Sequence, residues 1–509
     1  MNTSLRTAVW FLPAWLLMVC VAGAAPASAP AEESAPRPDI LIIMPDQMRG
    51  DCLSVLGHPA VRTPQFDRLA REGMLFRRAY ATVPSCIPAR HAMLTGLFPQ
   101  SSGVVGFAHK RIPKDQLTMP RMLRDAGYRT ALVGRNMHQS NSDEALGYQV
   151  VVHGSTYVSG DAYDKMLRDA APQTGGIKAL VRSMKLHYNF WPAAPWPLDD
   201  ALHPTSWVAR QAARVVADTA EGEPLFLTAS FYAPHPPLFP PKQYFDHYLR
   251  AQLPEPARGD WVDWDSLSPR GRLGGTRVLL KGDQLRETQA GYFGLIEHLD
   301  AAVSPLIEAF KARSEEAGRP WLVIVTSDHG EMLGDHGYFR KCEAYEGAAN
   351  VPMILVGSEE LGFQSGIRSC EPVALEDILP TLAELAGVNV EAVDGVSLVP
   401  VLRGETDEVR PWLHYEHAKC YSHPQAFHAL TDGRMKYIWR PASGAEQLFD
   451  LKEDPREEHD LSSDPSHRKE LQRWRGLMIK RLASRPEGFS DGERLIPGRP
   501  YKPIQPGAG

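Results

Sequence analysis

The sequence predicts an α/β fold, in which a doubly wound, mostly parallel sheet is flanked by helices and followed by a smaller C-terminal α+β domain carrying an antiparallel sheet. Two patterns lead to this prediction. From residue 38 to about residue 400, short apolar runs rich in β-branched residues alternate with amphipathic helical segments. Such unbroken apolar runs are typical of strands buried on both faces of a parallel sheet. After Gly404 the pattern changes to short strand-like runs separated by turns such as Asp432-Gly433.

Length and composition indicate a globular chain of two domains. The chain has 509 residues, of which 43% are hydrophobic and 23% charged, and this length exceeds that of one typical domain. The net charge is −6 and no long basic run is present, which argues against binding to nucleic acid. We therefore expect a large α/β domain at residues 38–403 and a C-terminal α+β domain with its tail at residues 404–509.

The first residues have the pattern of an export signal. Arg6 precedes an apolar run at residues 8–22, and the small residues at 22–24 fit a cleavage site. The run is short for a membrane span, and no later run reaches the required length. We expect a signal peptide at 1–24, a Pro/Ala-rich linker at 25–37, and a periplasmic or secreted protein with no membrane span in the mature chain.

The elements of the large domain follow in a regular order. The predicted strands are 39–44, 74–79, 130–134, 224–231, 321–326 and 351–356. The predicted helices are 63–73, 117–126, 206–220 and 288–310, together with one that begins just after Cys86. Between 140 and 204 the pattern loosens, and we expect a surface insertion whose Trp191 and Trp196 either face a substrate or pack locally. The small domain has predicted strands at 412–417, 426–431, 435–439 and 446–451, and a charged helix at 466–484.

Polar residues follow several predicted strands at the point where each strand ends. They are Asp46 and Gln47, then Arg135 and His138, then His235, and finally Asp328, His329 and Lys341. Open α/β sheets bind ligands at the carboxyl ends of their strands, so we expect these side chains to lie in one crevice. Neighbouring Asp and His residues are good metal ligands, although Asp46 by itself is equally explained as a helix cap.

A second motif, Cys-x-Pro-x-Arg, comprises Cys86, Pro88 and Arg90 and is followed by Leu94-Thr95-Gly96. Pro88 suits the first turn of a helix. Cys86 would then lie where unpaired backbone N–H groups converge, which favours a thiolate and attracts an anion. The alternative interpretation is a half-buried cysteine before an ordinary helix.

The motif and the polar clusters together resemble the type I sulfatases of the alkaline phosphatase superfamily, across roughly residues 38–460. The resemblance implies that a maturation enzyme reads this motif and oxidises Cys86 to formylglycine. It implies one Ca²⁺ ion, held by Asp46, Gln47, Asp328, His329 and the modified Cys86. Many members carry a second acid at the position of Gln47 and Asn at that of His329.

The same resemblance assigns the remaining roles. Arg90 would help to hold the aldehyde hydrate and the metal, and His235 and Lys341 would contact the sulfate ester. Members usually show Gly-Lys-x-His where this chain has Arg135 and His138 with one extra residue between them. Arg135 would bind a sulfate oxygen and His138 would accept a proton. Lys110 is a weaker site candidate and is better explained as a surface lysine.

The function that this resemblance implies is hydrolysis of sulfate esters, and export together with the Trp-rich insertion favours sulfated carbohydrates over aryl sulfates. A phosphate or phosphonate monoester hydrolase of the same superfamily and a non-catalytic carbohydrate-binding protein are the alternatives. Without Cys20 of the signal and Cys86, four cysteines remain, Cys52, Cys342, Cys370 and Cys420. These four either form two disulfides in one of three pairings or stay free.

Overall fold

A computed structural model describes residues 36–268, 277–421 and 423–506, together with Ala8. The predicted signal peptide and most of the predicted linker lie outside the described residues. Residues 37–509 belong to one compact unit that contains both predicted sheets. Within the described ranges, no helix combines the length and the apolar character needed to cross a membrane.

The main sheet has eight strands in the order β4-β3-β5-β1-β6-β7-β2-β8. The bounds are β1 Asp39–Asp46, β2 Met74–Tyr80, β3 Arg129–Gly134, β4 Val150–His153, β5 Leu225–Pro234, β6 Trp321–Thr326, β7 Met353–Gly357 and β8 Ile367–Ala374. Only β7 runs antiparallel to its neighbours β6 and β2; the other described pairs are parallel. The prediction of a mostly parallel sheet is therefore confirmed.

Helices cover both faces of this sheet because alternate residues of each strand point to opposite sides. Leu41 and Ile43 of β1 belong to one hydrophobic cluster and Ile40 and Ile42 to the other, which confirms the doubly wound arrangement. The helices of the main domain are α1 Pro64–Glu72, α2 Cys86–Thr95, α3 Pro99–Ser102, α4 Met119–Asp125, α5 Ala162–Ala170, α6 Ile177–Ser183, α7 Pro204–Asp218, α8 Lys242–Arg250, α9 Gly282–Glu316, α10 Glu346–Ala349, α11 Ile378–Leu385 and α12 Val399–Leu402.

The second sheet is antiparallel and has four strands in the order β12-β11-β10-β9. Its bounds are β9 Leu413–His417, β10 Phe427–Thr431, β11 Met435–Trp439 and β12 Glu446–Asp450. The last helix, α13 Arg468–Leu482, packs on this sheet through the buried side chain of Trp474. The predicted α+β architecture of the C-terminal region is confirmed.

The structure contains elements that the sequence analysis did not predict, among them β4, β8, α8 and α11. Residues 140–204 contain β4, an edge strand of the main sheet, and helices α5 and α6. Trp191 and Trp196 are buried there. Trp191 packs edge-on against Phe339 and Trp196 packs at a tilt against Phe239, so both serve local packing. Strand β8 was also missed, because none of its first five residues is buried and only its last three residues form a short buried run.

Candidate active site

The order of the strands brings the predicted polar clusters together. Strands β3, β5, β1 and β6 are consecutive neighbours in the sheet. Asp46 ends β1, Arg135 follows β3, His235 follows β5 and Asp328 follows β6. Helix α2 begins at Cys86 beside the same edge. The ten residues selected from the sequence are consequently linked by contacts around Cys86.

Cys86 is the first residue of α2, and its thiol is surrounded by cationic and polar groups. Its Sγ atom lies 2.8 Å from Lys341 Nζ, 3.1 Å from His329 Nε2 and 3.9 Å from Asp46 Oδ1. Burial raises the pKa of this thiol, but Lys341, His329 and Arg135 outweigh burial and hold the pKa well below its usual value. The site therefore favours an anion at the position of the sulfur.

Arg90 joins the two buried carboxylates of the site. Its Nε donates to Asp328 Oδ2 at 2.8 Å and its NH2 to Asp46 Oδ2 at 2.9 Å. All three side chains are fully buried. No hydrogen bond joins Arg90 to Cys86 among the described contacts, so in this structure Arg90 acts on the site by positioning Asp46 and Asp328.

The two carboxylates have opposite proton affinities. Burial raises the pKa of Asp46 to about 7, even though Arg135 lowers it, and the neighbouring Asp328 charge adds to the rise. Burial also raises the pKa of Asp328, but His329, Arg90 and Arg135 together hold it well below its usual value. Asp328 is therefore the permanently ionised member of the pair.

The donor atoms of Asp46, Cys86, Asp328 and His329 all lie within 4.8 Å of one another. His329 donates through Nδ1 to the carbonyl oxygen of Gly330 at 2.8 Å, which leaves Nε2 facing the sulfur. Two carboxylates and an imidazole nitrogen around a shared point form a donor set that fits a divalent cation. The amide oxygen of Gln47 adds a further hard donor, of the kind that Ca²⁺ prefers.

Gln47 is oriented by Glu331, a residue that was not selected from the sequence. Gln47 Nε2 donates to Glu331 Oε2 at 2.5 Å, and Gln47 Oε1 accepts from Lys341 Nζ at 3.0 Å. Glu331 also accepts from the backbone N–H of Leu333 at 2.8 Å. Glu331 stands three residues after Asp328 in the same polar loop, and that proximity was the signal available for finding it.

Arg135 and His138 lie together on one wall of the site. The Arg135 guanidinium lies 4.9 Å from the Tyr232 ring centre and 5.5 Å from that of Tyr157, with NH1 2.5 Å from Asp46. Its NH2 lies 3.1 Å from His138 Nδ1, and His138 has a left-handed backbone with φ of 56°. In the described part of the chain, the buried Nε of Arg135 has no hydrogen-bond partner, so it is a donor that an anion can satisfy.

His235 and Lys341 face each other across the site. Lys341 Nζ lies 3.3 Å from His235 Nε2, while His235 Nδ1 donates to the carbonyl oxygen of Pro236 at 2.7 Å. Burial and the Lys341 charge hold the pKa of His235 well below its usual value. Burial lowers the pKa of Lys341, but Cys86 and Asp46 outweigh it and raise that pKa overall. His235 is thus neutral and its Nε2 accepts a hydrogen bond from the Lys341 ammonium group.

Two further residues, Lys110 and His417, differ in their relation to the site. Lys110 donates to the carbonyl oxygen of Ser102 at 2.8 Å, which agrees with its interpretation as a lysine outside the site. His417 from β9 was not predicted, and its Nε2 lies 2.8 Å from Ser85 Oγ, next to Cys86. It belongs to the second sheet, so nothing in the local sequence connects it with the cysteine.

Comparison with known proteins identifies the family. The model described as "Sulfatase" matches residues 38–388. The chain belongs to the sulfatase family. A second model, "N-sulphoglucosamine sulphohydrolase, C-terminal", matches residues 334–483. The family and its named members show that this sulfatase is a sulfuric ester hydrolase.

Similar proteins cover nearly all of this sulfatase. An arylsulfatase of Clostridium perfringens is 32% identical over 92% of this chain and 99% of its own length. A choline-sulfatase of Rhizobium meliloti is 29% identical over 84% of this chain and 83% of its own. Among solved structures, a phosphonate monoester hydrolase from Silicibacter pomeroyi has a TM-score of 0.71 at 24% identity, covering 88% of this chain and 95% of that one. This last similarity shows the fold alone.

The electrostatics of the site predict that Cys86, when unmodified, is a thiolate at neutral pH. In protein made without a maturation enzyme, we expect peptide-resolved iodoacetamide labelling of Cys86 to have the same rate between about pH 6.5 and 8, because a thiol with a strongly lowered pKa is already ionised there. Lys341→Met should make the rate fall as the pH is lowered, whereas Lys110→Met should not. A wild-type rate that rises about tenfold per pH unit would contradict the prediction.

Proposed function

We propose that this sulfatase hydrolyses sulfate esters of carbohydrates through a hydrated formylglycine derived from Cys86. The observation that carries the proposal is the position of Cys86 at the start of α2, with Lys341 Nζ and His329 Nε2 within 3.1 Å of its Sγ. Oxidation of the thiol to an aldehyde and its hydration would give two geminal hydroxyl groups at this point. One attacks sulfur, and the other allows the bound sulfate to be expelled, a step for which a cysteine has no equivalent.

Asp46, Gln47, Asp328 and His329 would hold a Ca²⁺ ion. When bound there, the ion supplies positive charge that lowers the pKa of the attacking hydroxyl and neutralises charge on the sulfate oxygens. Arg90 keeps the two carboxylates in place through its bonds to both. Gln47 is kept in place by Glu331, and such supporting partners commonly control metal affinity.

The residues around Cys86 would divide the remaining tasks. The free Nε of Arg135 and the ammonium group of Lys341 bind sulfate oxygens and stabilise the charge that spreads over them during attack. Lys341 is protonated and hydrogen-bonded to neutral His235, so this pair supplies the proton to the leaving alcohol. His138, whose pKa is lowered chiefly by burial, is neutral and accepts the proton of the second hydroxyl.

The carbohydrate substrate and the location rest on separate support. One relative is an N-acetylglucosamine-6-O-sulfatase of Bacteroides thetaiotaomicron, which is 23% identical over 88% of this chain and 86% of its own length. The pattern of residues 1–24 supports export to the periplasm or the medium. We propose that the mature enzyme begins near residue 25.

Maturation and activity are tested together. Co-expression with a formylglycine-generating enzyme should lower the mass of the Cys86 peptide by about 18 Da, since the thiol becomes an aldehyde. The matured protein should release sulfate from 4-nitrophenyl sulfate, and Cys86→Ala should reduce kcat/KM by about 1,000-fold or more because the nucleophile is lost. Cys370→Ala, at an exposed cysteine, is the matched control and should retain the wild-type rate.

Two outcomes would replace the proposal. A mass shift with hydrolysis of phenyl phosphonate esters in preference to sulfate esters would favour a phosphonate monoester hydrolase, the activity named for the structural neighbour from Silicibacter pomeroyi. An unmodified thiol despite the maturation enzyme, with no hydrolysis of either ester, would favour a carbohydrate-binding protein without catalysis.

The metal site is tested by thermal unfolding as well as by activity. After chelation, we expect added Ca²⁺ at about 100 times its dissociation constant to raise the unfolding midpoint by several degrees, as a ligand specific for the folded state does. Asp328→Asn should abolish the shift, and Glu331→Gln should weaken Ca²⁺ binding about 10–100-fold. Asp335→Asn, outside the donor set, is the control. An equal shift in wild type and Asp328→Asn would contradict the assignment.

A further inference from the structure

The cavity above Cys86 extends well beyond the groups that handle sulfate. It has a volume of about 490 Å³, and Cys86, Arg135, His235 and Lys341 form one part of its wall. The rest of the wall includes Lys178 of α6, Arg340 and a set of aromatic rings. Those rings are Phe107, Tyr157, Tyr188, Tyr232 and Tyr421. A cavity of this size accommodates a small ligand with one or two rings in addition to its sulfate group.

The Lys and Arg residues that line this cavity are not balanced by acidic residues in its described lining, so its charge is one-sided, meaning positive. No Asp or Glu is among its lining residues in the described ranges, whereas Arg135, Lys178, Arg340 and Lys341 all line it. Arg340 lies with its guanidinium 4.3 Å from the ring centre of Tyr421, and the side chain of Lys178 is exposed. Arg135 is paired with Asp46 and Lys341 contacts Cys86, so Lys178 is a cation of this lining that remains available to a second anionic group.

A second cavity provides a contrast within the same molecule. It has a volume of about 390 Å³, does not include Cys86, and is lined by both acidic and basic residues. There Arg49 pairs with Asp51 and Asp335, each at 2.7 Å, and Arg78 pairs with Glu346 at 2.8 Å. Arg49 and Arg78 of that cavity are neutralised by the protein, whereas Lys178 has no carboxylate partner among the described residues.

We propose that the substrate carries a second anionic group, a sulfate or a carboxylate, and that Lys178 binds it while the aromatic rings cover the body of the molecule. This inference rests on the proposed function and names its substrate class. The excess positive charge attracts dianionic esters and repels esters of cationic alcohols. The enzyme should therefore discriminate against a quaternary ammonium ester such as choline sulfate.

The experiment measures competitive inhibition of 4-nitrophenyl sulfate hydrolysis by two monosaccharides that differ in charge. Glucosamine-2-N,6-O-disulfate should inhibit at a concentration about fivefold lower than N-acetylglucosamine 6-sulfate, the size expected of one partly exposed ion pair. Lys178→Ala should remove this difference, because it removes the cation that binds the second anionic group. Lys165→Ala, on the neighbouring helix α5 and outside the cavity lining, should preserve it.

Equal inhibition by the two sugars, or a difference that survives Lys178→Ala, would overturn the inference and leave the sulfatase activity standing. If 4-nitrophenyl sulfate is not hydrolysed, the proposed catalysis fails instead. The same two sugars are then compared by calorimetric binding to wild type and Lys178→Ala, which decides the inference without turnover.

A pair of cysteines, Cys342 and Cys420, lies at the rim of this cavity. Cys342 Sγ lies 2.8 Å from Cys420 Sγ. Cys342 directly follows Lys341, and Cys420 directly precedes Tyr421. The backbone N–H of Cys342 also donates to the carbonyl oxygen of Pro84 at 2.9 Å, two residues before Cys86. The pair thus lies between the main domain and the segment that follows β9.

His417 lies close enough to the two sulfurs for the three residues to be considered as a metal site. Both of its ring nitrogens are already engaged, Nε2 with Ser85 Oγ at 2.8 Å and Nδ1 with the carbonyl oxygen of Ala418 at 2.6 Å. These bonds leave no lone pair on His417 for a metal. A covalent link between the two sulfurs is the simpler use of the pair.

We infer that Cys342 and Cys420 form a disulfide that fixes the positions of Lys341 and Tyr421, which both line the cavity. The two thiols lose two protons and two electrons, and an external disulfide such as oxidised glutathione accepts them and is reduced to two thiols. The bond closes a loop between two distant parts of the chain and restricts the unfolded state. Cys52 and Cys370 remain thiols.

Peptide mapping without reduction, after incubation with oxidised glutathione, tests this link. We expect the Cys342 and Cys420 peptides to be joined, with Cys52 and Cys370 alkylated. Cys420→Ser should lower the unfolding midpoint by about 5 °C, since it removes a long-loop cross-link, and should raise KM for 4-nitrophenyl sulfate. Cys370→Ser should change neither. Alkylation of both Cys342 and Cys420 under these conditions, or a link between other cysteines, would overturn the inference.

Discussion

The rest of the site depends on the fully buried ion cluster of Arg90, Asp46 and Asp328. An isolated charge in a protein interior costs several kcal/mol, so each member of such a cluster requires its partners. Asp46 comes from β1, Asp328 follows β6 and Arg90 comes from α2. Satisfying the Arg90 guanidinium therefore fixes the helix that begins with Cys86 against two central strands. Arg135 adds a further cation beside Asp46.

This cluster also determines what the site attracts. Lys341, His329 and Arg135 surround Cys86, and their combined effect is to hold the pKa of the Cys86 thiol well below its usual value. Positive charge is thus concentrated on the side of the cysteine that faces the cavity. The same environment that favours a thiolate also favours the oxygens of a sulfate group, because both are anions that need buried donors.

The C-terminal sheet also helps to position Cys86. His417 of β9 contacts Ser85, and the Cys342 N–H contacts Pro84, so the segment before Cys86 is held from two directions. Lys436 of β11 is fully buried and lies 2.7 Å from both Glu346 and Glu457. That ion cluster links the second sheet to the start of helix α10. Residues from both sheets therefore contribute to the position of the cysteine.

The sequence by itself determined the doubly wound sheet, the antiparallel second sheet and the polar residues at strand ends, because strand burial and helix periodicity are local properties of the chain. The motif around Cys86 was equally visible, since its residues are close in sequence. Only the tertiary structure decided that Arg90 holds two carboxylates, that Glu331 orients Gln47, and that His417 supports Ser85. These contacts join residues that are far apart in the chain, and no local pattern encodes which distant partner satisfies a buried charge. The same reason explains why the cysteine pair and the one-sided charge of the cavity emerged only from the folded chain.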